Sequence, residues 1–145
     1  MPAYTITINI LQSLFPPWRY TLVERTAKWG VDWAADSGDG LLTMKMNESG
    51  SSALLRFLVP GTRDQFIVAF GVHNYKRWCD IIPDVEEYET AMGTHMLYYN
   101  SDKPHYQKLW AQQSKAEATN KAGYKISINF DVADGEDLKA TLTIK

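Results

Sequence analysis

Polar and apolar residues alternate from the first residues of the chain. In YTITINI, Tyr4, Ile6, Ile8 and Ile10 fall on one side and Thr5, Thr7 and Asn9 on the other, the two-residue period of a half-buried β-strand. FPPWRY interrupts the pattern, because neither Pro16 nor Pro17 can donate to a strand ladder. Extended character resumes in YTLVERT through Tyr20, Leu22 and Val23, then in LLTMKM (41–46), ALLRFLV (53–59) and QFIVAFGV (65–72). The last of these reads as a buried strand. Turn-rich DSGDG, NESGSS and PGTRD punctuate the series at the short, even spacing of an antiparallel all-β domain. Near the C-terminus, YKISINFDV puts Ile126, Ile128, Phe130 and Val132 on one face. ADGED then turns the chain into LKATLTI, which predicts a terminal hairpin.

The middle of the chain has another period. PDVEEYETAM (83–92) offers Asp84 as an N-cap, Glu87 three residues later and Gly93 as a stop, which predicts a helix. KPHYQKLWAQQSKAEA (103–118) predicts a second, with Pro104 near its start and Tyr106, Leu109 and Trp110 helically spaced to dock on a sheet. The order is strands, a helical insertion, then strands. With no linker, repeat or low-complexity segment, residues 1–145 read as one domain.

Charge and cysteine content narrow the classes of function. The formal charge of -2 supplies no basic field to draw nucleic acid or an anionic membrane. Cys79 stands alone, so no internal disulfide forms and a reducing compartment suits the chain. The N-terminus lacks the positive region of a signal peptide, and no apolar run approaches the ~18 residues of a membrane span. A cytoplasmic protein is expected, with unconventional release as the other route. The sequon Asn47-Glu48-Ser49 reads as chance in that setting.

Catalytic and metal motifs are missing. His73, His95 and His105 are far apart in sequence, with no HExxH and no Cys/His ligand spacing. GxSxG and phosphate-cradling glycine patterns are absent, and SGDG (37–40) reads as a turn. Cys79 reads as a buried thiol, and Glu86 and Glu87 as solvated. The reading is a non-enzyme without metal or cofactor. What remains suits sugars, whose hydroxyls want Asn, His, Asp, Ser and backbone partners and whose C–H faces rest on aromatic rings. The chain has five tryptophans, eight tyrosines and five phenylalanines, and most of the tryptophans are expected in the core.

One stretch carries more. FGVHNYKRWCDI (70–81) resembles a segment of the fungal fruit-body lectins. Further pieces follow in that family's order: YTITINILQ, VERT (23–26), LTM (42–44), SGSS…LRF, ET with YY later, and DGEDLKATLTI at the end. The resemblance spans essentially the whole chain. It implies a mainly β, actinoporin-like β-sandwich of two antiparallel sheets joined by a helix–loop–helix. It also implies a homotetramer that binds the glycans of glycoproteins or glycolipids, with no catalysis.

The family's main site takes galactose and N-acetylgalactosamine, notably Galβ1-3GalNAc. By resemblance, His73 and Asn74 match its hydroxyl-binding pair, Ser49 and Gly50 its Ser-Gly turn, and Tyr75 lines the site. WGVDW is several residues shorter than the family's loop here, so Gly30, Val31 and Asp32 occupy that wall, where Asp32 either accepts from sugar hydroxyls or narrows the pocket. The second site, for terminal N-acetylglucosamine, retains Asp80 and Ile81. Pro83 stands where a threonine is usual, and the family's arginine falls near Pro104 or His105. That site is expected to be weak, altered or absent. Trp78 and Cys79 are expected to anchor the segment to the core.

Two other readings carry their own signals. The same fold serves pore-forming toxins, but those use an amphipathic N-terminal helix where this chain alternates as a strand, so no membrane insertion is expected. A hydrolase built on His73, Asp80 and Cys79 is the remaining alternative. A defence role against animals that eat the producer follows from the resemblance alone.

Overall fold

The alternating start forms β1, Tyr4–Gln12, and sends Tyr4, Ile6 and Ile8 into the core while Thr5, Thr7 and Asn9 face outward. The structure, a computed structural model, describes residues 3–34 and 40–145. The turn anticipated at 36–40 lies, except for Gly40, outside the described residues. Beyond β1 come β2 (Thr21–Lys28), β3 (Val31–Trp33), β4 (Leu41–Met46), β5 (Ser52–Leu58), β6 (Gln65–His73) and β7 (Lys76–Ile82). Two short helices follow, α1 (Ala91–Leu97) and α2 (Tyr106–Ala111), then β8 (Lys115–Thr119), β9 (Lys125–Val132) and β10 (Asp137–Ile144).

The strands form a six-stranded sheet, β3-β4-β1-β10-β9-β8, and a four-stranded sheet, β2-β5-β6-β7. The larger sheet is mixed rather than wholly antiparallel, since β1 and β10 run parallel, Ile6 opposite Leu138 and Ile8 opposite Ala140. These are the first and last strands of the chain. No tight turn joins them, so nothing imposes the antiparallel sense that hairpins require. Helices α1 and α2 lie on the connection between β7 and β8, and so between the two sheets in sequence.

The sheets pack face to face. Ile6, Ile8, Ile126, Ile128, Leu142 and Ile144 meet Leu55, Phe57, Phe66, Val68 and Phe70, each of them almost fully buried. On the far side of the smaller sheet, Leu54, Ile67, Ala69 and Trp78 pack against Ala91, Tyr98 and Leu109 of the helical segment. Strand β6 is therefore covered on both faces, which is why it reads as an unbroken apolar run. Trp78 and Cys79 anchor β7 on opposite faces.

Three local expectations are corrected. Asp84 caps no helix: its carboxylate accepts from the Lys121 N–H, and Glu86 sits in a turn closed by Glu89. Helix α1 starts later, capped by Thr90, whose Oγ1 accepts from the Gly93 N–H, so Gly93 opens the helix instead of ending it. The second predicted helix is only the six residues of α2, because Gln112 turns left-handed at φ 49° and KAEAT becomes β8 against β9.

Candidate functional site

Strands β6 and β7 are joined by a two-residue turn. His73 pairs with Lys76 across it, and Asn74 (φ 50°) and Tyr75 (φ 67°) both adopt the left-handed conformation, a type I′ turn. Asparagine tolerates that region. A tyrosine there stores roughly 1–2 kcal/mol of steric strain. Its ring, 63% exposed, recovers little of that by burial.

The loop between β4 and β5 closes on this turn. Ser49 Oγ accepts from the Tyr75 N–H at 2.9 Å, the Gly50 N–H donates to the Val72 carbonyl at 2.8 Å, and the Val72 N–H donates to the Ser51 carbonyl at 3.0 Å. The approach is so close that a Cβ on Gly71 would lie 2.5 Å from the Ser51 oxygen. Ser51 Oγ in turn donates to the Trp29 carbonyl, which ties in the β2–β3 turn. Ser49, Gly50, His73, Asn74 and Tyr75 thus share one end of the sandwich. Asp32 lies in β3 opposite Lys45, exposed, and among the described residues no hydrogen bond joins it to that group.

His73 ends β6 on the helix-facing side. Its carbonyl accepts from Gln112 Nε2 at 2.8 Å, and its ring stands edge-on to Trp110 with centroids 4.4 Å apart and planes at 82°. Nε2 is buried without a partner, and burial lowers the imidazole pKa, so the ring is neutral at pH 7. Trp110 itself is half exposed. Only Trp78 of the tryptophans is fully buried: Trp18, Trp29 and Trp110 are at least half exposed, contrary to the expectation that most would fill the core. Trp33 of β3 is partly buried against the core, while Trp18 and Trp29 lie in loops and Trp110 near the end of α2.

Beneath the loop runs a polar chain that the sequence did not announce. His95 of α1 lies 2.7 Å from Thr26 Oγ1 through Nδ1 and 2.7 Å from Ser52 Oγ through Nε2. Ser52 Oγ is 2.5 Å from Tyr99 Oη, which donates to the Gly50 carbonyl at 3.1 Å. Burial, helped by the nearby Lys28 charge, pushes the His95 pKa down to about 4, so the ring is a neutral linker. Glu24 of β2 fixes the start of the same helix by accepting from the N–H groups of Ala91 and Met92 while pairing with Arg56 at 2.7 Å. Burial alone would raise its pKa, but the Arg56 hydrogen bond and those two amides hold it below the usual value. The residues are scattered along the sequence, with no motif to flag them.

The other predicted group lies under the helices. Asp80 is nearly buried: Oδ2 accepts from Tyr98 Oη at 2.7 Å and Oδ1 lies 3.8 Å from Lys108 Nζ. Burial and the Asp80 charge push the Tyr98 hydroxyl pKa far up. His105 stacks edge-on against Tyr98, its Nδ1 buried without a partner, whereas the Ile81 side chain points the other way, into the core. Asp80 and His105 therefore share Tyr98 as a neighbour, and Ile81 can meet a ligand there only through its backbone. Cys79 also faces the core, on the sheet side away from Asp80 and His73, and burial pushes its thiol up to about 12. Among the described residues no group of three or more His, Cys, Asp or Glu could hold a metal ion.

The fungal fruit body lectin profile matches residues 2–142. The chain belongs to that family. This fungal fruit body lectin is 32% identical to the Boletus edulis lectin over 96% of both chains. Its backbone matches the crystal structure of the wild-type Xerocomus chrysenteron lectin with a TM-score of 0.88 at 29% identity, covering 99% of each chain. The lipid binding protein Nakanori matches in fold alone, with a TM-score of 0.60 at 10% identity over 98% of this chain and 71% of that one. The architecture is the actinoporin-like sandwich, and the family is one of carbohydrate-binding lectins.

Proposed function

We propose that the protein binds galactose- and N-acetylgalactosamine-type glycans, Galβ1-3GalNAc foremost, at the surface of Ser49, Gly50, His73, Asn74 and Tyr75, with Asp32 at its rim. The observation that carries this reading is the hydrogen bond from the Tyr75 N–H to Ser49 Oγ, which locks two exposed polar loops into one rigid face. Ser49 accepts through that bond and keeps its own hydroxyl hydrogen for a sugar oxygen. The Asn74 amide offers donors and an acceptor together, matching vicinal hydroxyls. His73 presents Nδ1, since Nε2 is sealed. The Tyr75 ring supplies apolar contact for C–H groups, and Asp32 accepts from a further hydroxyl.

The N-acetylglucosamine-type site is degraded in this reading. Asp80 already serves Tyr98 and Lys108, and Pro83 has neither hydroxyl nor N–H to offer. Each missing hydroxyl partner costs roughly 0.5–1.5 kcal/mol, enough to erase a shallow monosaccharide site. Agglutination follows from valency: a homotetramer raises avidity by ~10²–10⁴ over one weak site. A cytoplasmic defence role completes the proposal.

Calorimetric titration of wild type and Asn74→Ala with Galβ1-3GalNAc and with N-acetylglucosamine tests the assignment. The disaccharide binds wild type and not the variant, and N-acetylglucosamine binds neither strongly. A robust N-acetylglucosamine isotherm abolished by Asp80→Ala contradicts the degraded second site.

A further inference from the structure

Helix α2 ends beside the site, and its end is clamped there. Leu109 is 1% exposed and anchors the helix on the smaller sheet. One residue on, the half-exposed indole of Trp110 stands against the His73 ring at 4.4 Å. Gln112, left-handed at φ 49°, donates from Nε2 to the His73 carbonyl, and its own carbonyl accepts from Arg77 Nη1 at 2.9 Å. The end of α2 is thus tied to the last residue of β6 and to the second residue of β7. Trp110 is therefore a fixed surface, not a loose side chain. Packing does not account for an indole here, because Leu109 anchors the helix and half of the Trp110 surface meets water. The indole is in contact with the His73 ring, and Asn74 follows His73 directly in the turn whose next residue, Tyr75, bonds to Ser49.

We propose that Trp110 is the platform of a second sugar subsite, on which the C–H face of the next pyranose of a β-linked galactosyl disaccharide rests. This inference rests on the galactoside reading of the Ser49–His73–Asn74 surface. Those polar groups fix the first sugar by its hydroxyls, and the indole gives the second an apolar face with no hydroxyl demand, which is what an aromatic ring offers a pyranose. His73 separates the two subsites and holds the indole upright by its perpendicular contact. Trp110 thereby makes the protein read a linked pair of sugars instead of a single terminal one.

The test is affinity for a monosaccharide against affinity for a disaccharide. Wild type, Trp110→Ala and Trp110→Phe are titrated with methyl β-galactoside and with Galβ1-3GalNAc, and the ring protons receiving saturation transfer are mapped by NMR. Removing an aromatic contact of this kind from Trp110→Ala lowers disaccharide affinity about 10-fold. Monosaccharide affinity stays within a factor of about 2, and saturation of the second ring disappears. Trp110→Phe keeps most of both. Equal losses for the two ligands overturn the subsite and make Trp110 a support for His73 only. No loss for either, with wild type still binding, overturns any contact. Wild type binding neither sugar defeats the galactoside reading itself.

Discussion

Tyr75→Gly is expected to make the protein more stable and a poorer sugar binder at once. Tyr75 holds φ 67° in the second position of a two-residue turn whose first position is Asn74. The change creates Asn-Gly, the sequence that a type I′ turn prefers. Relieving the left-handed conformation returns roughly 1–2 kcal/mol. The greater freedom of glycine in the unfolded chain takes back about 0.5–1 kcal/mol. The ring is 63% exposed and its N–H to Ser49 survives the substitution, so little else changes. The net lies between about 0 and 1.5 kcal/mol of stabilisation, and its midpoint corresponds to a rise in Tm of roughly 2–3 °C. Urea and thermal denaturation followed by tryptophan fluorescence measure it, with Tyr75→Ala as the partner variant. Alanine removes the same ring but keeps a Cβ in the left-handed region, so it gains no stability. Both variants weaken galactoside binding several-fold. If glycine is no more stable than alanine, the strain argument is wrong. If glycine is more stable and binds like wild type, the Tyr75 ring does not touch the sugar.

Other perturbations address the support beneath the site. His95 has a folded pKa of about 4 against an unfolded value near 6.5, so its contribution is complete above pH 6.5 and is lost as pH falls toward 4. That loss is of order 3 kcal/mol, and a His95→Gln variant has a flatter urea-midpoint profile across the same window; an identical profile refutes the neutral-linker role. Cys79, with its thiol raised to about 12 and buried, does not react with iodoacetamide at pH 7.5 in the native protein and does so in denaturant. Rapid native labelling contradicts its place in the core. Asp80→Ala strands the buried Tyr98 hydroxyl and is expected to cost about 2–3 kcal/mol in chemical denaturation. A loss under 0.5 kcal/mol shows that water replaces the carboxylate freely.

What could be read in the chain was what one segment decides by itself. The period of Tyr4, Ile6 and Ile8 and the unbroken apolar run of β6 need only a buried face, and both gave their strands directly. Where a distant partner decides, local signals misled. Asp84 with Glu87 has the spacing of a capping box, yet α1 begins where Thr90 and the carboxylate of Glu24, 67 residues away from Ala91, meet its first amides. Lys, Ala and Glu in KAEAT favour a helix in isolation, but hydrogen bonding to β9 outweighs that preference of a few tenths of a kcal/mol per residue. Val132 shares the parity of Phe130 and is nevertheless 39% exposed, because the register between β9 and β10 shifts at Lys139 and Ala140.

The candidate site divides along the same line. His73, Asn74 and Ser49 were legible through a stretch of sequence with a known likeness. The link between Ser49 and Tyr75, the brace of His95, Ser52 and Tyr99 under Gly50, and Trp110 beside His73 all depend on chain segments meeting in space. No spacing rule joins residues 49 and 75, or 52 and 95. Only the pairing of β5 with β6, and the return of the helices over the smaller sheet, brings them together.

A glycan array probed with wild type and with His73→Ala tests the central claim most directly. Selective binding to Galβ1-3GalNAc and related galactosides by wild type, lost in a variant that keeps its thermal stability, is the predicted result. Galactoside binding that persists in His73→Ala, or a wild-type protein that binds no glycan, contradicts it.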